Sequence, residues 1–254
     1  MSNCVLFKMW EPFRQFLIQS HVFYVEQAQK RLLSQFADIE SDANQAAEEW
    51  LKKRAKYFDP DRHNPDDFYE DAYEFSIQYY ELLNNMCDQT HLSVVAGMFH
   101  EWDKQLRGWL VSQIQNQHPD NSVASKIWSV DFSQIMDLLE SFGWKVRCTD
   151  YFKVLDSCRL VVNVYKHGKG KSLDDLRERF PEYLDNPAKC FSGAILDAAY
   201  LDHTHLKVNN SQFNAFSDGI VAFWRNVPES VIELQITDMP DWLDRAIRKN
   251  RAVQ

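Results

Sequence analysis

Glycine and proline are scarce, at 7 and 8 of 254 residues, against average usage of about 7% and 5%. That excludes collagen-like and glycine-rich repeats. It also counts against barrels and propellers, whose turns consume both residues. Cysteine offers no framework either. Cys4, Cys87, Cys148, Cys158 and Cys190 are odd in number, widely spaced and without a C-x-x-C pair, so neither disulfides nor a zinc site is indicated. No apolar run approaches the ~18 residues that span a bilayer. Met1 to Trp10 lacks a basic segment followed by an apolar one, so no signal peptide is expected. A cytoplasmic protein with no membrane partner is the expectation. Paired carboxylate motifs are missing, which counts against a two-metal nuclease, and no cofactor or metal is expected.

What is present is bulk. Hydrophobic residues make up 45% of the chain and aromatics 14%, with 8 Trp, 10 Tyr and 17 Phe, enough to bury a core built from large side chains. Apolar residues recur at three- and four-residue steps along most of the chain, which predicts a mainly all-α protein. Glu11 to about Tyr57 reads as helical, with Lys52, Lys53, Arg54 and Lys56 at its far end, where cations suit the helix dipole. Asp59 to Asp67 reads as a loop. Helices are predicted over Asp67–Asp88, His91–Gln115, Asp131–Phe142, Thr149–His167 and Ser211–Asn226, the fourth and fifth helices of the chain being ended by Gly143 and Gly168. Four consecutive amphipathic helices specify a bundle. After Gly170 the chain is punctuated by Pro181, Pro187, Pro228 and Pro240. There, His205–Val208 and Ile232–Ile236 are expected as short strands, and the tail from Arg245 as frayed. The organisation expected is an N-terminal helical segment (1–58), a bundle (67–172) and a small mixed extension (173–254).

One helix carries chemistry. Within Leu155–Ser172, at ~100° per residue, Arg159, Asn163 and Lys166 fall on one narrow arc and His167 extends it. Arg supplies a rigid cationic fork for phosphate. Asn can orient a phosphate oxygen or a 2′-hydroxyl, and His can move a proton near neutral pH. From Lys145 to Lys171 seven Lys/Arg stand against two acids, about +5 within a chain of −9. Concentrated positive charge of this kind is what a phosphate backbone needs. Lys166, Lys169, Lys171 and Lys153 are the candidate backbone-binding cations. The competing reading is bland: cations near a helix C-terminus are favoured by the dipole alone.

The stretch Arg159-x-x-x-Asn163-x-x-Lys166-His167-Gly168 resembles the signature helix of the HEPN superfamily, in which an Arg is followed by His at a helix end. Phe99-His100-Glu101-Trp102 is similar to the helix that pairs with it. The resemblance covers roughly Asp67 to Ser172. It implies a HEPN-like helical bundle, a homodimer, and metal-independent endoribonuclease activity in toxin–antitoxin or anti-phage systems. RNA would be the substrate, and an antitoxin or regulatory protein a partner. Arg159 and His167 would be catalytic, with Asn163 positioning. Seven residues separate Arg159 from His167, and Leu160 follows the Arg. Because of that, a non-catalytic nucleotide- or protein-binding dimerisation module stands beside the RNase reading.

Two other features carry less. Gly168-Lys169-Gly170-Lys171-Ser172 contains GKS, but Tyr165 stands where a phosphate-binding loop needs its first Gly, and a helix precedes it instead of a strand. Ser172 reads better as the cap of a helix over Leu173–Arg179. Asp202-His203-Thr204-His205 reads as a surface loop before a metal site.

Overall fold

The computed structural model describes residues 5–115, 121–187, 200–232 and 239–251. Among them, nine α-helices and a two-stranded sheet make a mainly all-α bundle, as the periodicity predicts. The helices are α1 (Glu11–Arg31), α2 (Ile39–Arg54), α3 (Pro65–Gln115), α4 (Asn121–Ser129), α5 (Phe132–Ser141), α6 (Asp150–His167), α7 (Lys171–Arg179), α8 (Asn210–Asn226) and α9 (Asp241–Arg251).

Several boundaries differ from expectation, each for a local reason. The helical pattern from Glu11 onward is broken after Arg31 by a 3-10 turn, Leu33–Phe36, and restarts where Asp38 accepts a hydrogen bond from the Ser41 amide. The two helices predicted over Asp67–Asp88 and His91–Gln115 are one rod of 51 residues. Neither Gly nor Pro interrupts 88–91, so nothing stops propagation. Pro65 opens that rod in the first turn, where its missing amide hydrogen costs nothing. Between Gln115 and Asp131, where no helix is predicted, α4 begins at Asn121; residues 116–120 lie outside the described residues. The tail is helical to Arg251. Gly170, not Ser172, caps α7.

The strands are a correction too. His203–His205 forms a 3-10 turn capped by Asp202, and Leu206 makes only an isolated bridge to Leu184. The expected His205–Val208 strand is not formed. Instead β1 (Val5–Lys8) pairs antiparallel with β2 (Ser230–Ile232), Phe7 opposite Val231. The strand expected at Ile232–Ile236 thus has its first residue in β2; 233–236 lie outside the described residues. This pairing ties the N-terminal segment to the C-terminal extension. Phe7 then packs 4.2 Å from Phe142 and 6.1 Å from Trp109. One continuous buried cluster draws residues from all three expected segments.

The second half of α3, α6 and α8 are the centre of the core. Gly219 lets α8 approach α6: a Cβ there would stand 3.0 Å from Val154 Cγ1. By contrast α2 and the first half of α3 pack mainly on each other, and no residue between Leu33 and Leu92 joins the buried cluster. They form a helical hairpin arm beside the body.

Two buried arginines finish helix ends. Arg14 Nη1 donates to the carbonyls of Trp224 and Arg225 at the end of α8 (2.7 and 2.9 Å). Arg107 Nη1 donates to those of Ile127, in the last turn of α4, and Val130 just after it (2.6 and 2.9 Å), while its Nε holds Asp103 at 2.8 Å. Both satisfy carbonyls that a helix terminus leaves without partners.

His21 is buried and shares a 3.0 Å hydrogen bond with Ser217 Oγ. Burial pushes its imidazole down to about 4, against the pull of Ser217 and Asp218. Folded His21 is therefore neutral where the unfolded chain, with pKa near 6.5, is already taking up a proton. Its contribution is complete above about pH 6.5 and is lost as pH falls toward 4, roughly 3 kcal/mol in all. Denaturant unfolding between pH 7 and 4.5 should show this loss. His21→Gln should flatten the dependence across that window, and an unchanged slope would refute the assignment.

Candidate functional site

Helical spacing builds the walls of a cleft of about 700 Å³. From α3 come His100, Asp103 and Arg107, and from α6 Phe152, Asp156, Arg159 and Asn163, each set on one helical face. The start of α5 adds Asp131, Phe132 and Ser133, the preceding turn of α6 adds Arg147, and α7 adds Lys171, Ser172, Asp175 and Arg179.

Asp156 organises the interior. Its side chain is only 8% exposed, and it accepts from Arg159 Nε and Nη2 at 2.9 and 2.7 Å. Its second oxygen accepts from Arg179 Nη2. One buried carboxylate thus holds two guanidiniums, from helices α6 and α7, leaving a local charge of +1. Arg159 also lies 5.7 Å over the Phe132 ring, which fixes the plane of its fork. Arg159 Nη1 and Arg179 Nη1 make no hydrogen bond among the described residues.

The α7 end adds to the positive potential. Its cap is Gly170, at φ 137° and ψ −172°, and no side chain satisfies the first amides. Lys171 and Ser172, the first two helical residues, line the cleft. Free amides and a helix dipole there favour an anion. The turn into α7 is made by Gly168 at φ +70°. A Cβ at that position would be strained and would meet the His203 ring at 3.5 Å.

Among the sequence-predicted residues, Arg159, Asn163 and Lys171 are brought together in the cleft. Lys166, His167 and Lys169 are exposed at the α6–α7 corner and are not among the residues lining it, and Lys153 is exposed on α6, also outside the lining. The imidazole on the cleft wall is His100. Its pKa is lowered by partial burial and by the Lys166 ammonium, with Asp103 opposing, so it is a neutral base at neutral pH.

Asp103, on the His100 helix, is held by Arg107, and the partner of Arg159 is Asp156, three residues before it on its own helix. An i, i+3 acid–base pair was the available signal. Arg179 carried no signal, because its role depends on how α7 folds back on α6. Among the described residues, no cluster of three or more His, Cys, Asp or Glu can hold a metal ion. No helix described is long and apolar enough to cross a membrane. Comparison of the chain with protein-family models, curated proteins and solved structures finds no match, so what the cleft does must rest on its own chemistry.

Proposed function

We propose that this protein binds RNA in the α3–α6–α7 cleft and cleaves it without a metal, as a HEPN-like ribonuclease. The observation that carries the reading is the Asp156 clamp: two oriented guanidiniums beside an amide and a neutral imidazole, in one open cleft. Arg159 and Arg179 grip a phosphate and stabilise the charge that grows on it. Asn163 orients the 2′-hydroxyl. The imidazole takes the 2′-hydroxyl proton, the O2′–P bond forms, and the P–O5′ bond breaks. The leaving 5′-oxygen takes a proton from the imidazolium, giving a 2′,3′-cyclic phosphate and a 5′-hydroxyl. The resemblance assigns the proton transfer to His167; cleft lining favours His100. Lys166, Lys169 and Lys171 would hold the flanking backbone. A homodimer, and a toxin–antitoxin or anti-phage setting with an antitoxin or regulatory partner, come with the resemblance.

A second reading, binding without cleavage, is favoured by one observation: His167 does not line the cleft. Incubating purified protein with total RNA in EDTA separates them. Cleavage is expected to persist in EDTA, to fall by about 10²–10⁴ in His100→Ala, and to survive in His167→Ala. The reverse pattern moves the proton transfer to His167. Salt-sensitive RNA binding without cleavage by wild type selects the second reading, and neither binding nor cleavage sinks both.

A further inference from the structure

The negative charge of this chain is not spread over its surface. Residues 59–88, the turn before α3 and the first half of that helix, hold nine acids and one base, a net −8 in a chain of −9. Along the same helix Tyr69, Tyr73, Ile77 and Tyr80 are 66%, 68%, 43% and 44% exposed. At ~100° per residue they share an arc on the side away from α2, which α3 meets through Phe68, Ala72 and Phe75. Asp66, Glu70, Glu74 and Glu81 border that arc. None of the four makes an ion pair among the described residues. An amphipathic helix normally buries its apolar stripe. This one buries one stripe on α2 and leaves a second, aromatic one uncovered, the composition of an interface rather than of a solvated face.

We infer that the tyrosine-lined acidic face of the arm docks on the exposed basic α6–α7 corner, Lys166, Lys169 and Lys171, of a second copy of this chain. Charge decides the occupant. Arm against arm would set two −8 surfaces together, and like charges across an interface cost several kcal/mol. The corner supplies opposite charge. Its three ammonium groups are exposed, without an ion pair among the described residues. Tyr165, 37% exposed, offers a ring beside them. Arm-to-corner contact is reciprocal: each copy owns both surfaces, so a two-fold arrangement makes the contact twice and closes. The inference needs only these two surfaces. It adds regulation to the proposed function, because RNA and the partner's arm would compete for the same lysines.

Charge exchange tests it. One variant carries Glu70→Lys, Glu74→Lys and Glu81→Lys, the other Lys166→Glu, Lys169→Glu and Lys171→Glu. All six positions are exposed, so unchanged melting temperatures establish that both variants fold. In sedimentation at low salt, wild type is expected to be a dimer that dissociates toward 1 M salt, where the screening length is about 3 Å. Each variant alone should be monomeric, since in the first the four acids bordering the tyrosine arc go from −4 to +2 against a +3 corner, and in the second the corner is −3 against an acidic arm. An equimolar mixture of the two should dimerise again. Tyr69→Ser with Tyr73→Ser should weaken the wild-type dimer at every salt concentration. A wild-type monomer at low salt, dimers that persist in both variants, or a mixture that stays monomeric would each overturn the inference. RNA cleavage by a chain that never dimerises would leave the ribonuclease reading standing while removing this one.

Discussion

Arg159→Ala is expected to lower RNA cleavage by about 10²–10³ while leaving the protein folded. Arg159 uses Nε and Nη2 on Asp156 and keeps Nη1 for a ligand, with its plane set against Phe132. Arg159→Lys should rescue little, because an ammonium cannot bond the carboxylate through one edge and a phosphate through another. Asp156→Asn should behave differently. It removes the anion between two guanidiniums that then repel, so their orientation suffers before their attraction for phosphate does. The drop should appear in kcat more than in KM. Cleavage of a short RNA in EDTA, with thermal melts alongside, checks the series. Wild-type rates in Arg159→Ala would remove the clamp from the mechanism.

Trp102→Ala should be the most destabilising single truncation in the body, costing about 3–5 kcal/mol. Trp102 is 1% exposed and packs 5.4 Å from Phe99, 6.0 Å from Phe132 and 5.0 Å from Phe223, the last edge-on. It therefore bridges α3, α5 and α8. Its Nε1 has no hydrogen-bond partner among the described residues, so Trp102→Phe loses ring volume but no hydrogen bond and should cost clearly less than the alanine variant. The two variants bracket the claim that packing, not polarity, is what Trp102 contributes. Because Phe132 is also the ring beneath Arg159, Trp102→Ala should loosen the clamp as well. Urea unfolding reads the first effect, and RNA affinity at fixed salt reads the second. A cost below about 1 kcal/mol for the alanine variant would show that the cluster repacks without it.

The fold was legible wherever periodicity and caps agree. The helix expected over Asp131–Phe142 is α5, started by Asp131 through a reciprocal bond pair with Gln134, and Gly168 ends α6 as expected. The misplaced boundaries are those where local signals are weak. The helices expected over Asp67–Asp88 and His91–Gln115 are one rod, because nothing between them opposes a helix. The strand at His205–Val208 failed because β-propensity means little without a partner, and β2 found its partner at Val5–Lys8, more than two hundred residues away in sequence.

The candidate site divides the same way. A helix face is a local property, so Arg159 and Asn163 sharing a wall followed from spacing alone. So did the excess of cations around α6. Which other groups meet that wall is set by how α3, α5 and α7 pack on α6, and sequence distance says nothing about that. Hence His100 in place of His167 on the cleft wall, Arg179 as the second guanidinium on Asp156, and an arm that shares no core with the body. Periodicity, caps and composition act within one helix turn or over the whole chain. The distances between helices, on which a phosphate grip depends, are decided only when side chains interlock.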